Sequence, residues 1–224
     1  MTPPLRVTHF SDVLCIWAYV AQRRMEELRA EFGSQVNLDY RFVSIFGFAR
    51  LRLEERFRDK GGIAEYGTHV KTVAAGFEHV AIHPDAWSRV VPNSSWPAHL
   101  SLCAVRALER NGEIANGTFL AADARVRDAF FRDSRDVSRR EVLTEIFTEQ
   151  GLDGAKIDEE LSSGRAHAEL AGDVELSRDQ DVRVSPSVLL NDGRQRLNGN
   201  VGYRIIAANV RELIEKPAGQ LSWC

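Results

Sequence analysis

The stretch LRVTHFSDVLCIWAYVAQRRMEELRAEF, residues 5–32, constrains this chain more than any other. Its first part, with Leu5, Val7 and Phe10, is apolar and suited to extended structure. It breaks at Ser11-Asp12, passes one cysteine and continues as a helix with Trp17, Val20, Ala21, Met25 and Leu28 on the apolar face. Cys15 therefore stands where a strand hands over to a helix. First-turn N–H groups lack backbone partners and the helix macrodipole adds about half a positive charge there, so the position favours a thiolate. A free thiol titrates near pH ~8.5, whereas cysteines at helix starts fall at about 3.5 to 7.5. The same residue has a structural reading: Leu14, Ile16 and Trp17 surround it, and cysteine is among the most often buried residues. Asp12 is expected to face solvent or cap a turn, because a carboxylate aimed at the thiol would raise its pKa.

Residues Val36 to Ile45 alternate and are rich in β-branched and aromatic side chains, which predicts a second strand. Strand, helix and strand within about 45 residues make a right-handed βαβ unit with parallel strands. The helix start then lies at the carboxyl end of the first strand, where open α/β sheets bind ligands. From Phe48 to about Ala171 helical periodicity takes over, broken at Gly61-Gly62, His83-Pro84, Val91-Pro92-Asn93, Asn111-Gly112 and Gly151 to Gly154. Ser95 before Trp96-Pro97 reads as a cap, followed by a face of Leu100, Cys103, Ala104, Ala107 and Leu108; Ser138 and Glu141 have capping-box spacing. Strand signals return at Ser187 to Asn191 and Arg194 to Leu197 around an Asp-Gly turn, and a helix follows from about Gly202 to Glu215 with Ile205, Ile206, Val210, Leu213 and Ile214 as its face. Pro186, just before a strand, suggests an edge, a strand start or a cis bond.

The expected architecture is thus α/β, with residues 1–47 and 172–224 forming one discontinuous domain and residues 48–171 an all-helical insertion. At 224 residues and 44% hydrophobic content the chain can bury a full core. A net charge of −3, with basic residues interleaved among acids, argues against a nucleic-acid partner. No run of about 18 apolar residues exists to span a membrane. The N-terminus lacks the basic start and apolar core of a signal peptide, so the expected location is the cytoplasm. Cys15, Cys103 and Cys224 are too far apart to form a disulfide framework or a metal knuckle. His99 and Cys103 are four apart on one helix but lack a second ligand pair, so no metal is expected. His79 and His83, near Trp87, share no more than a common helical spacing.

Four stretches carry a family resemblance: FSDVLCIWAYVAQRRMEE, NSSWPAHLSLCAVRALERNG, RDSRDVSRREVLTEIFTEQGLD and VSPSVLLNDGRQRLNGNVGY. Their content and order resemble the thioredoxin fold as elaborated in the DsbA family, and more closely its FrnE-type and hydroxychromene-carboxylate-isomerase-like branch, which includes kappa-class glutathione transferases. The resemblance implies that Cys15 is the nucleophile, that Pro186 is the cis-proline, and that Ser185 offers backbone groups to an extended thiol substrate. Trp17, His99 and Asn200 would border the same cleft; Trp17 packs by its ring, and His99 makes structural hydrogen bonds that tune Cys15.

The chain also departs from the FrnE-type Cys-Pro-Trp-Cys pattern. It has Cys15-Ile16-Trp17-Ala18-Tyr19, without the resolving cysteine, so the usual intramolecular exchange cycle cannot run. Cys15 could instead act as a monothiol resolved by glutathione, or be resolved by Cys224 beyond the Lys216-Pro217-Ala218-Gly219 breaker. In a third scheme it activates a glutathione thiol for isomerase or transferase chemistry. Isomerase and transferase relatives usually carry serine at the nucleophile position and a Ser-Asp-Arg or Gln-Asp-Arg turn where this chain has Gly199-Asn200-Val201-Gly202. The expectation is therefore a thiol-disulfide oxidoreductase acting on a small thiol or a disulfide-containing peptide or protein. Glutathione would be co-substrate, no cofactor would be tightly bound, and a homodimer follows from the resemblance alone. The alternatives are a glutathione-dependent isomerase or transferase, and a non-catalytic binding protein on the same fold.

Overall fold

The structure, a computed structural model, describes residues 3–216. Four strands form one sheet: β1 (Leu5–Ser11), β2 (Val36–Phe42), β3 (Ser187–Leu190) and β4 (Gln195–Asn198). They lie in the order β2-β1-β3-β4. β1 and β2 are parallel, with Leu5 opposite Val36 and Ser11 opposite Phe42, while β3 runs antiparallel to both β1 and β4. The parallel pair follows from the crossover through α1 (Ile16–Phe32). The β3–β4 hairpin turns at Asn191, Asp192 and Gly193, all at positive φ, a conformation that Asn, Asp and Gly tolerate better than other residues.

The helices α2 (Ala49–Arg56), α3 (Ile63–Ala74), α4 (Trp96–Arg110), α5 (Thr118–Phe131), α6 (Arg140–Glu149), α7 (Gly154–Ser162) and α8 (Arg165–Asp179) lie between β2 and β3, and α9 (Tyr203–Glu215) follows β4. This is the strand and helix order expected from the sequence. β2 is shorter than the alternation predicts. It stops at Phe42, and the next residues turn away so that the Ile45 and Phe46 N–H groups reach Asp12. The stretch holding His79, His83 and Trp87 is a connection rather than a helix, and Trp87 is fully buried there at φ 59°.

α1 lies between two cores. Met25, Leu28 and Phe32 pack with Ile206 and Val210 of α9 and with Val7 and Leu190 of the sheet. Ile16, Ala18 and Tyr19 face the helical segment instead. Burial on two sides explains why the single apolar stripe read from the sequence is incomplete. Trp17, placed on that stripe, is only half-buried and meets Phe77 edge-on at 6.2 Å. α4 is likewise buried almost all round, with His99, Leu102, Cys103 and Val105 inside. On α9, Ile205 points outward, 55% exposed.

Both proposed side-chain caps are used differently. Ser95 sits at the start of α4, but its hydroxyl donates to Asp12 Oδ2 at 2.9 Å. Ser138 precedes Arg139, the N-cap residue of α6, and its hydroxyl goes to Asp136 at 2.6 Å. The helical segment is fastened to the sheet by polar contacts that do not depend on a helix pattern. Asp173 of α8, fully buried, accepts from the Phe42 N–H and from the guanidinium groups of Arg41 and Arg106 at 2.9 to 3.1 Å. A buried carboxylate is tolerated only with such pairing.

Candidate active site at the start of α1

Cys15 is the N-cap residue of α1, with extended backbone angles, and its carbonyl accepts from the Ala18 and Tyr19 N–H groups. The turn before it is organised by Asp12, which is fully buried rather than solvent-facing. Oδ1 accepts from the Leu14 N–H at 3.0 Å. Oδ2 accepts from the Ile45 and Phe46 N–H groups at 3.0 and 2.8 Å and from the Ser95 hydroxyl. One carboxylate therefore joins the β1–α1 turn, the end of β2 and the start of α4. The other half of the expectation, that Asp12 caps a turn, agrees with its bond to Leu14.

Arg127 of α5, also buried, holds the same turn from the opposite side. It donates to the Asp12 carbonyl at 3.1 Å and to Ser11 Oγ at 2.9 Å, while Asp123 one turn earlier neutralises it at 3.0 and 3.1 Å.

Immediately before β3, the Ser185–Pro186 peptide is cis and both residues are buried beside the turn. Ser185 Oγ accepts from the Asp12 N–H at 2.9 Å, and its carbonyl accepts from the Cys15 Sγ–H at 3.1 Å. Thus Cys15, Ser185 and Pro186 come together, although they lie at opposite ends of the chain. His99 is buried behind them; its Nε2 accepts from the Val13 N–H at 3.3 Å and its ring stacks on Phe42 at 4.5 Å. Burial holds His99 below the usual imidazole range, so it is neutral. Asn200 accepts from Arg24 at 2.6 Å, further along α1, and is absent from the walls of the cavity at Cys15. Cys224 lies outside the described residues.

The thiol is protonated, contrary to the expectation from its position. Burial pushes its pKa up, while the Ser185 hydroxyl and the Ala18 and Trp17 N–H groups pull it down, and the Asp12 charge adds to the upward push. Desolvation outweighs the favourable helix start because Cys15 is only 6% exposed.

Cys15 nevertheless meets an open cavity of about 570 Å³, walled by α1, the β2–α2 connection, α2 and α3. Trp17, Phe46, Leu53, Phe57 and Tyr66 give it an apolar lining. Three cationic side chains, Arg52, Arg56 and Lys60, stand against one carboxylate, Glu65. Tyr66 rests edge-on against Trp87 at 5.2 Å, and its phenol is kept protonated by burial. Gly67 permits this approach of α3, since a Cβ there would stand 2.8 Å from the Trp87 carbonyl oxygen.

The sequence reading missed the cationic wall, because an Arg-rich helix with interleaved acids reads as a solvated face. It also missed Arg127; its position between Val126 and Ala129, Phe130 on an apolar arc is the signal that could have found it. Among the described residues no cluster of three or more His, Cys, Asp or Glu is arranged to hold a metal ion, and no helix is long and apolar enough to cross a membrane.

Comparison with known proteins agrees with this geometry. The ClpXP adapter protein SpxH of Halalkalibacterium halodurans is 24% identical over 217 residues, which span 94% of this chain and 68% of that protein. Among solved structures, a probable DsbA oxidoreductase from Streptomyces coelicolor superposes with a TM-score of 0.74 at 20% identity, covering 98% of this chain and 94% of that one. The cytosolic disulfide reductase DsbM from Pseudomonas aeruginosa superposes at 0.67 and 18% identity over 93% and 100% of the two chains. It has also been solved with GSH, and that form superposes at 0.62 over 95% and 98%. The model of the DSBA-like thioredoxin domain matches residues 6–210, nearly the whole described chain. With its β-sheet order, its inserted helices and a cysteine at the start of the first helix, the chain belongs to the DsbA-like thioredoxin family.

Proposed function

We propose that this protein is a thiol-disulfide oxidoreductase working through Cys15 alone, with glutathione or a glutathione-containing disulfide as its partner. The observation that carries the reading is the placement of the Cys15 sulfur, 3.1 Å from the Ser185 carbonyl, at the edge of a cavity whose wall bears Arg52, Arg56 and Lys60. Glutathione carries two carboxylates, and such a cationic wall attracts an anionic thiol while the aromatic lining takes its less polar parts. The structure of cytosolic DsbM with GSH supports the same direction.

In the proposed cycle the Cys15 thiol loses its proton and attacks the glutathione sulfur of a glutathione mixed disulfide. A new S–S bond forms as the old one breaks, and the departing half leaves as a thiolate that takes up a proton. Glutathione from solution then attacks the glutathione sulfur held on Cys15, which restores the Cys15 thiol and releases glutathione disulfide. The sum is an exchange: one glutathione thiol is consumed, one substrate thiol is released, and the disulfide passes from the substrate to a pair of glutathiones. Ala18, where family members carry the second cysteine, cannot perform that second step, so the external thiol is required. A cytoplasmic setting would supply it.

One observation favours a second reading, a binding protein without turnover: burial holds Cys15 as a thiol. Reductase turnover with a mixed disulfide of glutathione, followed against pH, separates the two. The exchange reading predicts a rate that climbs through and above pH ~8.5, a fall of about tenfold in kcat/KM for Arg52→Ala with Arg56→Ala, and a smaller fall when the substrate is a neutral disulfide. Equal losses on charged and neutral disulfides would remove the glutathione assignment. No turnover at any pH would leave the binding reading.

A further inference from the structure

A second cavity, of about 270 Å³, opens between α1 and α5 over the sheet and shares no lining residue with the one at Cys15. Its floor is His9 of β1 and Tyr40 of β2, whose rings meet edge-on at 5.7 Å. His9 is 4% exposed, and neither of its ring nitrogens has a hydrogen-bond partner among the described residues; the Gln22 side-chain oxygen, buried in the same cavity, likewise has none among them. Burial and the neighbouring Arg127 hold the His9 imidazole down to about 3, so the ring is neutral and offers one N–H donor and one bare nitrogen. Unmet hydrogen-bonding capacity at this depth is costly, and most buried polar groups are satisfied.

The remaining walls decide what could satisfy it. Met25 and Leu120 provide apolar surface, with Ala121 and Ala124 of α5 leaving room above the imidazole. Arg127 is already neutralised by Asp123, and the mouth carries Arg29 and Glu26, opposite charges that favour neither an anion nor a cation. A dry cavity of ~150 Å³ accepts benzene, so this one has room for a substituted ring.

We infer that this cavity is a binding site for a small uncharged aromatic molecule bearing a hydroxyl, of the phenol class, whose O–H donates to the bare His9 nitrogen while the ring lies against Met25 and Leu120. A phenol hydroxyl is an uncharged donor, which is what the bare nitrogen of a neutral imidazole accepts from.

The test is a titration of the full chain, labelled with ¹⁵N-histidine, with phenol and separately with toluene, which keeps the ring but lacks the hydroxyl. The expected result is a saturable shift of the His9 ring resonances with phenol, binding about tenfold weaker for toluene, and loss of phenol binding in Ala124→Leu, whose side chain fills the cavity. Ala121→Leu serves the same purpose should the first variant unfold. Equal binding of toluene, phenol binding that survives both fillings, or His9 resonances unmoved by saturating phenol would overturn the assignment; the last result would mean that water alone serves the imidazole.

Discussion

Replacing Asp12 with asparagine tests whether one buried carboxylate sets both the stability and the thiol chemistry of the site. Asp12 Oδ2 accepts three hydrogen bonds and Oδ1 one. In the Asp12→Asn variant the amide is best placed with its oxygen at the Oδ2 position, which turns its NH₂ toward the Leu14 N–H, donor against donor. One charge-assisted bond is lost, the other three weaken, and a buried N–H is left unmet, for a cost of about 3 kcal/mol. For a chain of this length that lowers Tm by roughly 6 to 12 °C. The same substitution removes a negative charge that pushes the Cys15 pKa up. The rate of Cys15 alkylation by iodoacetamide, followed against pH, should therefore move to lower pH even as stability falls. A Tm within about 1 °C of wild type, or an alkylation profile moved to higher pH, would refute the reasoning.

His9 is held down to about 3 by burial, against an ordinary value near ~6.5, and His99 is shifted in the same direction. The unfolded chain binds these protons first, so their stabilisation is complete above about pH 6.5 and is lost as pH falls toward 3. For His9 alone the loss reaches about 2 kcal/mol by pH 5, to be read from urea unfolding at pH 7, 6 and 5 with His9→Gln giving a flatter profile. Arg127→Met removes the donor to Ser11 and to the Asp12 carbonyl and strands Asp123; chemical denaturation should show a loss of about 3–5 kcal/mol. Two glycine substitutions should differ in sign. Gly67→Ala lowers Tm, because its Cβ meets the Trp87 carbonyl, whereas Gly172→Ala on α8 meets nothing and raises stability by up to about 1 kcal/mol.

Much of the fold was legible because it rests on local signals. The β1–α1 handover at Cys15, the Asp-Gly hairpin and the return of a ββα unit after the helices each depend on side chains close together in sequence. The alternation beyond Phe42 and the apparent caps at Ser95 and Ser138 misled for one reason. Their polar groups answer to partners that the sequence places far away or on an unexpected side: Asp12 for Ile45, Phe46 and Ser95, and Asp136 for Ser138. The Cys15 pKa was misread similarly, since a helix start is visible in sequence but the burial that overrides it comes from the folded whole. Asp12 and Arg127 show the general difficulty: in isolation a charged residue reads as solvated, and only three-dimensional pairing makes its burial tolerable. The family was legible from four stretches, and the FrnE-type branch is a finer statement than the family match makes.

The central claim is that Cys15 exchanges with disulfides, and intact-mass analysis with peptide mapping addresses it most directly. Reduced wild type, Cys15→Ser and Cys224→Ser are incubated with oxidised glutathione at about pH 8.5, near the ordinary thiol pKa. The account predicts a glutathione adduct on Cys15 in wild type and in Cys224→Ser, reversed by added glutathione, with no adduct at the substituted position in Cys15→Ser. A Cys15–Cys224 disulfide in wild type would replace the monothiol cycle with an internal one. An unmodified Cys15 in every sample would contradict the account.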